Sequence, residues 1–192
     1  ARTVVDGVAY APHRPLAVKD WGVDFYAFSL YKVYGPHCAL LYGRREHLDR
    51  LPNLNHSFYR RADVPGKLEP GAFPYELLYG AGAVPAYLEA LGQHHRDGSG
   101  SGAAMNVAYE AIRAHEHRLS SLLLDYLDAR DGATVCGNPR ATAERVPTVS
   151  FEVAGRASSE IPPAGDAAGI GFRWGHFYAP RLVEALGLTE RD

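Results

Sequence analysis

The amino-acid sequence predicts an α/β fold, and three observations support this prediction. Short apolar runs rich in β-branched and aromatic residues stand at residues 2–11, 23–30 and 37–43. The runs are continuous rather than alternating, which is typical of strands covered on both faces by helices. Segments with helical spacing follow them, and the longest extends over residues 103–130. We therefore expect a mostly parallel sheet packed against helices.

Residues 1–95 are expected to form one domain. Its first strand is predicted to be buried and to end between Asp6 and Ala9, before the breaker PHRP and a short helical turn or loop in LAVKDWG. The second and third strands, VDFYAFSL and HCALLYG, are separated by the breaker YGP, and RREHLDRL opens a short helix. A long polar loop over residues 52–74 precedes a helical segment in which Pro85 predicts a kink or break.

Residues 103–192 are expected to form a second, smaller domain after a flexible break at DGSGSG, residues 97–102. A long amphipathic connecting helix over residues 103–130 comes first. Three strands are predicted after it, in TVCG, TVSFEVA and GIGFRW. Helices starting near Ser158 and Ala179 would cover that sheet, giving an α+β unit.

Charge, hydropathy and cysteine usage narrow the function classes. The net charge of −2 over 192 residues is not the basic footprint of a nucleic-acid-binding protein. No run of 18 apolar residues predicts a transmembrane helix, and the first residues lack the pattern of a signal peptide. Cys38 and Cys136 are not spaced for a metal site and do not demand a disulfide, so we expect a cytoplasmic protein.

Lys32 is the residue that points to chemistry, because it stands between two apolar runs that are expected to be buried. A buried ammonium must be paired, neutral or covalently bonded. One interpretation is a Schiff base between Lys32 and pyridoxal 5'-phosphate, with Asp6 on the pyridinium nitrogen. The other is that Lys32 extends into solvent at a strand end and Asp6 caps a turn. The spacing alone leaves both open.

The stretch VDGVAYAPHRPLAVKDWGVDFYAFSLYKVYGPHCALLYG, residues 5–43, resembles the class V aminotransferase family, and most closely its cysteine desulfurase-like branch. The resemblance continues weakly over residues 68–91 and returns in GIGFRWGHFYAPRLVEALGL, residues 169–188. It implies part of the large domain of a fold-type I pyridoxal-phosphate enzyme, followed by a small α+β domain. Because members of that family are longer, it also implies a partial sequence, although a second chain or a remnant of the fold are alternatives.

The resemblance implies four cofactor-binding residues. Lys32 matches the Schiff-base lysine, and Asp6 matches the partner of the pyridinium nitrogen. Ser29 matches the serine of the Ser-x-His-Lys motif that is implied to bind the cofactor phosphate. Tyr31 stands where that motif has histidine, and its phenol can also donate a hydrogen bond to a phosphate oxygen.

The resemblance also implies three residues near the substrate. His13 matches a family histidine that follows the aspartate, where contact with substrate and a supporting role in the loop are both open. Arg173 and His176 match the C-terminal motif near the active-site entrance, where an arginine can bind a substrate carboxylate through two hydrogen bonds. Surface or loop roles remain the alternatives for both residues.

Besides Tyr31, three positions depart from the family pattern. Ala9 stands in place of a glutamine that contacts the cofactor, and Ala72 falls near the place of a phosphate-binding threonine. Tyr178 occupies the place of the catalytic cysteine of one desulfurase group, and that chemistry needs a thiolate. Cys38 and Cys136 both lie in predicted strands, where cysteines usually act as small apolar residues.

We therefore expect a pyridoxal-phosphate enzyme that acts on an amino acid or another primary amine, by transamination or C–S lysis rather than sulfur transfer. A homodimer is implied by the resemblance only. A non-catalytic remnant that serves as a binding or structural module is the alternative. Metal binding is not expected, because the histidines of HEH, residues 115–117, do not share a helix face and those of QHH, residues 93–95, are adjacent.

Overall fold

A computed structural model describes residues 1–69, 71, 73–96 and 103–188. The chain divides into two compact units, residues 1–116 and 117–192, and the division falls within the longest helix. The expected domain boundary between residues 95 and 103 stays a prediction. The predicted flexible break at residues 97–102 and the departure at Ala72 lie outside the described residues.

The sheet of the first unit has three strands in the order β1-β2-β3. They are β1 (Val4–Asp6), β2 (Phe25–Ser29) and β3 (Ala39–Gly43). The β1 and β2 strands run parallel, whereas β2 and β3 run antiparallel. The three predicted strands are thus confirmed, but one pair of each kind is not the mostly parallel sheet that we expected from this part of the chain.

Among the described residues of the first unit, four α-helices begin: α1 (Arg45–Leu48), α2 (Tyr75–Ala81), α3 (Ala83–His94) and α4 (Ala104–Asp128). The helical segment after residue 74 is interrupted at Gly82, so the predicted break at Pro85 is misplaced. Pro85 lies in the first turn of α3, where backbone N–H groups have no partner within the helix and a proline is tolerated.

The core of the first unit is formed by buried side chains that come from the loop after β1, the turn after β2, and helices α3 and α4: Ala11, Leu30, Val33, Val84, Leu88 and Tyr109. The outer strands are not covered. Val4 of β1 is 72% exposed and Leu41 of β3 is 60% exposed. The expectation of a buried first strand and of a sheet covered on both faces is therefore wrong for the described residues, although the apolar composition of the strands is what such a sheet requires.

The second unit contains a two-stranded antiparallel sheet of β4 (Ala133–Cys136) and β5 (Ser150–Val153), together with α5 (Ile161–Ala167) and α6 (Pro180–Ala185). Both predicted helices are confirmed, since a 3-10 turn over Ser158–Glu160 leads into α5. In the described residues no helix is both long and apolar enough to span a membrane.

The predicted third strand of this unit, GIGFRW, is wrong. Residues 171–174 form an irregular segment after α5. Gly169, two residues beyond the end of α5, has φ +71°, and Ile170 N–H donates to the carbonyl oxygen of Gly165 at 2.8 Å, which is the Schellman arrangement of a helix end. Phe172 then packs its ring onto Gly165, where a Cβ atom would lie 2.2 Å from it. This packing takes the place of strand pairing.

Candidate active site

Parallel pairing brings the predicted cofactor residues to one edge of the sheet. Asp6 ends β1 and lies opposite Ala27 of β2, while Ser29 ends β2 two residues later. A single 3-10 turn, Leu30–Lys32, follows directly. Since the carboxyl ends of parallel strands share one edge, Asp6, Ser29 and Lys32 lie at the same edge, which is where open α/β sheets bind ligands.

Lys32 is exposed, so the expectation that its side chain is buried is wrong. The reason is the 3-10 turn, which directs Leu30 and Val33 into the core and leaves Lys32 on the opposite side. Its Nζ atom lies 6.0 Å from the centre of the Tyr31 ring. The ammonium makes no hydrogen bond or ion pair with another residue in the described part of the chain.

Asp6 is exposed as well and takes part in a turn. One carboxylate oxygen, Oδ1, accepts a hydrogen bond of 3.0 Å from the Val8 N–H. Gly7 donates its N–H to the Ala27 carbonyl oxygen at 2.8 Å, which continues the strand pairing one residue beyond Asp6. A Cβ atom at Gly7 would lie 1.9 Å from the Tyr26 ring, so only glycine fits there. The backbone therefore fixes Asp6 at the sheet edge, and the Asp6 carboxylate caps the turn, as the alternative interpretation of this residue predicted.

The two predicted phosphate ligands differ in exposure. Ser29 is half-buried at the end of β2, and its hydroxyl makes no capping bond to the following turn. Tyr31 is exposed and stacks on His37, with ring centres 4.5 Å apart and planes at 13°. The stacking sets the orientation of the phenol. The roles of both residues as phosphate ligands stay predictions.

His13 belongs to a cluster of three polar side chains. Its Nδ1 atom lies 2.6 Å from Oε1 of Glu116, and Nη1 of Arg14 lies 3.2 Å from Oε2 of the same carboxylate. Arg14 also donates to the carbonyl oxygen of His13 at 2.7 Å. The sequence-based prediction missed Arg14 and Glu116. The signal available in the sequence was the motif HEH, residues 115–117, because its middle residue, Glu116, forms the contact with His13. The metal-site interpretation rested on its two histidines alone.

The C-terminal motif lies in the second unit. Arg173 and Trp174 line an open cavity of about 580 Å³, together with Asp166 and Pro162 of α5. His176 accepts a hydrogen bond of 3.1 Å at Nδ1 from the Tyr178 N–H. Tyr178 is 98% exposed and has φ +65°. Arg173 and His176 are both exposed, and their roles toward a substrate stay predictions.

Neither cysteine is in the surroundings of an activated thiol. Cys136 lies in β4 opposite Ser150, and burial, assisted by the Glu152 carboxylate, raises the pKa of its thiol. Cys38 packs against the core of the first unit. Nucleophilic cysteines require the opposite, a lowered pKa next to positive charge. No group of three or more metal-ligating side chains occurs among the described residues.

The side chains at the sheet edge suit pyridoxal 5'-phosphate. The chain has three lysines, at positions 19, 32 and 67. Lys67 is fully buried and bonded to backbone carbonyl groups, whereas the Lys32 amine is exposed beside the strand end. An amine for the aldehyde, a carboxylate for the ring nitrogen and hydroxyl donors for the phosphate are the groups that this cofactor requires. Lys32, Asp6, Ser29 and Tyr31 carry groups of these kinds, and their roles toward the cofactor stay predictions.

Comparison with known proteins agrees with this arrangement. The chain is 42% identical over 193 residues to an aminotransferase-like protein of Gibberella zeae, covering 99% of this chain and 45% of that protein. It is 35% identical over 161 residues to a cysteine desulfurase-like protein of Aspergillus flavus, covering 82% of this chain and 33% of the relative. The chain thus spans less than half the length of these relatives.

A solved structure shows the same fold. The crystal structure of a cysteine desulfurase of Escherichia coli superposes with a TM-score of 0.72 at 28% identity, over 98% of this chain and 45% of the other. The expected fold type I and the expected likeness to the cysteine desulfurase-like branch are confirmed, and this family depends on pyridoxal 5'-phosphate. The family model described as Aminotransferase class-V matches residues 1–190, and with the relatives and the fold in agreement, the chain belongs to the class V aminotransferase family.

Proposed function

We propose that this protein is a pyridoxal-phosphate-dependent enzyme that acts on an amino acid or another primary amine, as an aminotransferase or a C–S lyase. The observation that carries the proposal is the placement of Lys32 and Asp6. Parallel pairing of β1 and β2 brings both to one sheet edge, and the Lys32 amine has no partner in the described part of the chain.

The roles of the side chains follow from their chemistry. The Lys32 amine would hold the cofactor covalently, and the same amine, when free, is the candidate base for the proton on the α-carbon of the substrate. The Asp6 carboxylate would keep the ring nitrogen protonated, and Ser29 and Tyr31 would donate hydrogen bonds to the phosphate. Bound pyridoxal 5'-phosphate supplies an electron sink for the pair released at the substrate carbon.

The proposal favours transamination or C–S lysis over sulfur transfer. Sulfur transfer needs a thiolate that takes sulfur from the substrate. Tyr178 stands where desulfurases of one group have that cysteine, and burial raises the pKa of the Cys136 thiol. Arg173 is proposed to bind the substrate carboxylate, with His176 and His13 as further substrate contacts. A homodimer, on the ground of the resemblance, and a cytoplasmic location, on the ground of two unpaired thiols, belong to the same proposal.

The test is to trap the cofactor on the protein. The purified full chain is mixed with pyridoxal 5'-phosphate, reduced with borohydride, digested and mapped by mass spectrometry. We expect one reduced adduct, on the peptide that contains Lys32, and none after Lys32→Ala. The matched control is Lys19→Ala, which removes another exposed lysine and should leave the adduct unchanged. A wild-type protein that forms no adduct, or equal labelling of Lys19 and Lys32, would overturn the proposal.

A further inference from the structure

We propose that Glu116 is a positioning residue, which ties the loop after Asp6 to the helix that also supports the turn carrying Lys32. The proposal rests on the proposed function, because it concerns how the two cofactor-holding groups are kept in place. Glu116 lies in α4, 84 positions along the chain from Lys32, and no motif of the sequence links them.

Glu116 contacts two residues of the loop after β1. One carboxylate oxygen binds His13 at 2.6 Å and the other binds Arg14 at 3.2 Å. Because a carboxylate only accepts hydrogen bonds, the His13 Nδ1 atom carries the proton in this contact. All three side chains are largely buried, where a charge-assisted hydrogen bond is stronger than on an open surface. The contact therefore anchors the loop seven residues after Asp6.

The same loop packs on the residues around Lys32. Ala11 of the loop is buried in one core with Leu30 and Val33, which flank Lys32. Tyr109, seven residues before Glu116 on the same face of α4, contributes its ring to that core and directs its hydroxyl to the Ala11 carbonyl oxygen at 3.5 Å. The loop after Asp6, the turn of Lys32 and the α4 helix thus share one packed core.

Tyr34, two residues after Lys32, connects the turn to α3. This residue has φ +61°, a left-handed backbone conformation that is uncommon for tyrosine. Its ring contacts Tyr87 of α3 at 5.2 Å. The Tyr87 contact ties the turn after Lys32 to α3, which shares a core with α4, the helix of Glu116. Burial raises the pKa of the Tyr34 hydroxyl, and the charge of Glu116 raises it further.

Glutamine is the informative substitution at position 116. It keeps the size of the side chain but removes the negative charge, so the charge-assisted hydrogen bonds to His13 and Arg14 become ordinary, weaker ones. The loop after Asp6 is then held less firmly. The control is Glu110→Gln on the same helix, where the carboxylate pairs with Arg113 at the surface. A stability control is Lys67→Met, which removes buried hydrogen bonds in another loop.

The experiment measures the rate at which the apo full chain forms the borohydride-trapped adduct with pyridoxal 5'-phosphate, together with its urea unfolding curve. We expect Glu116→Gln to form the adduct about tenfold more slowly than wild type, because misplaced reacting groups lose rate steeply. Glu110→Gln and Lys67→Met should form it at the wild-type rate, although Lys67→Met unfolds at lower urea.

The outcomes separate the two proposals. A wild-type chain that forms no Lys32 adduct would overturn the proposed function itself. A wild-type chain that forms it, with Glu116→Gln forming it equally fast, would overturn the positioning role alone, even if that variant is less stable. Should Glu116→Gln not fold, His13→Ala tests the same link from the other side. Slower trapping in His13→Ala supports the proposal, and wild-type trapping contradicts it.

Discussion

The ammonium group of Lys67 donates a hydrogen bond of 2.7 Å to the carbonyl oxygen of Arg61. It also bonds to the carbonyl oxygens of Leu51 at 3.0 Å and Asp49 at 3.3 Å, so three backbone acceptors surround one cation. Asp49 is the C-cap residue, directly after α1. Lys67 is 0% exposed, and its charge is balanced by the partial charges of carbonyl groups rather than by a carboxylate. The Lys67 side chain thereby links the end of α1 and the following loop to the 3-10 turn at Gly66–Leu68.

Lys67→Met is expected to destabilise the protein. The substitution keeps most of the apolar stem but leaves carbonyl oxygens without a partner, which costs about 2–3 kcal/mol in the free energy of unfolding. Urea unfolding followed by circular dichroism measures the change. Lys19→Met at an exposed position is the control and should remain close to wild type. Equal stability of the two variants would contradict the role of Lys67.

Gly92→Ala is expected to disturb the packing of α3 against the start of α4. A Cβ atom at Gly92 would lie 1.7 Å from the carbonyl oxygen of Ala104, and a backbone atom cannot move aside cheaply. Overpacking of this kind costs about 1–3 kcal/mol. Gly80→Ala in α2 is the matched control, because its Cβ would meet only Pro36 at 3.6 Å. That change should be neutral or stabilise the helix by up to about 1 kcal/mol. A thermal unfolding scan that ranks the two variants in the reverse order would refute this account.

Cys136 is expected to react slowly with alkylating reagents at neutral pH. Burial raises the pKa of its thiol, so less of the reactive thiolate is present than in an exposed cysteine. The rate of iodoacetamide modification, measured on a Cys38→Ala variant against a cysteine-containing peptide, checks this expectation. We also expect Cys136→Ala to retain turnover of the amine substrate. Loss of turnover in that variant, with the fold intact, would reopen sulfur transfer.

The Asp24 carboxylate is expected to make stability fall at acid pH. The pKa of Asp24 is lowered from its ordinary value of 3.8. The main cause is the hydrogen bond of 2.8 Å that the Thr3 N–H donates to the carboxylate, and the hydrogen bond from His47 lowers the pKa further. A carboxylate whose pKa is lowered in the folded state stabilises the protein at every pH above its ordinary pKa. This contribution is lost as the pH falls through the lowered pKa. The stability difference between wild type and Asp24→Asn should therefore be present near about pH 5 and shrink toward about pH 2.

The control for this prediction is Asp20→Asn, which removes an exposed carboxylate from the neighbouring turn. Its stability relative to wild type should change little over the same pH range. Urea unfolding at each pH gives both differences. A difference for Asp24→Asn that grows as the pH is lowered would have the wrong sign and would rule out the explanation.

The sequence by itself determined the family, the strands β1 to β5 and most of the helices. The motifs VDGVAYAPHRP and DFYAFSLYKVYGP are enough to match Asp6, Ser29 and Lys32 to the family pattern. The three apolar runs of the first unit became β1, β2 and β3. The long amphipathic pattern became α4. These features are local, since hydrophobic period, turn residues and motif spacing are all read within a few tens of residues.

The tertiary structure decided which groups are buried and which distant residues meet. The predicted buried lysine was Lys32, but Lys67 is the buried one, because its three carbonyl acceptors are created only by the folding of a loop. Glu116 reaches His13 across 103 positions, and no periodicity encodes such a pair. The segment GIGFRW is as apolar as a strand, yet the glycine just beyond the end of α5 and the packing of Phe172 on Gly165 keep it irregular. Burial and long-range contact depend on the whole packed chain, and local composition does not contain them.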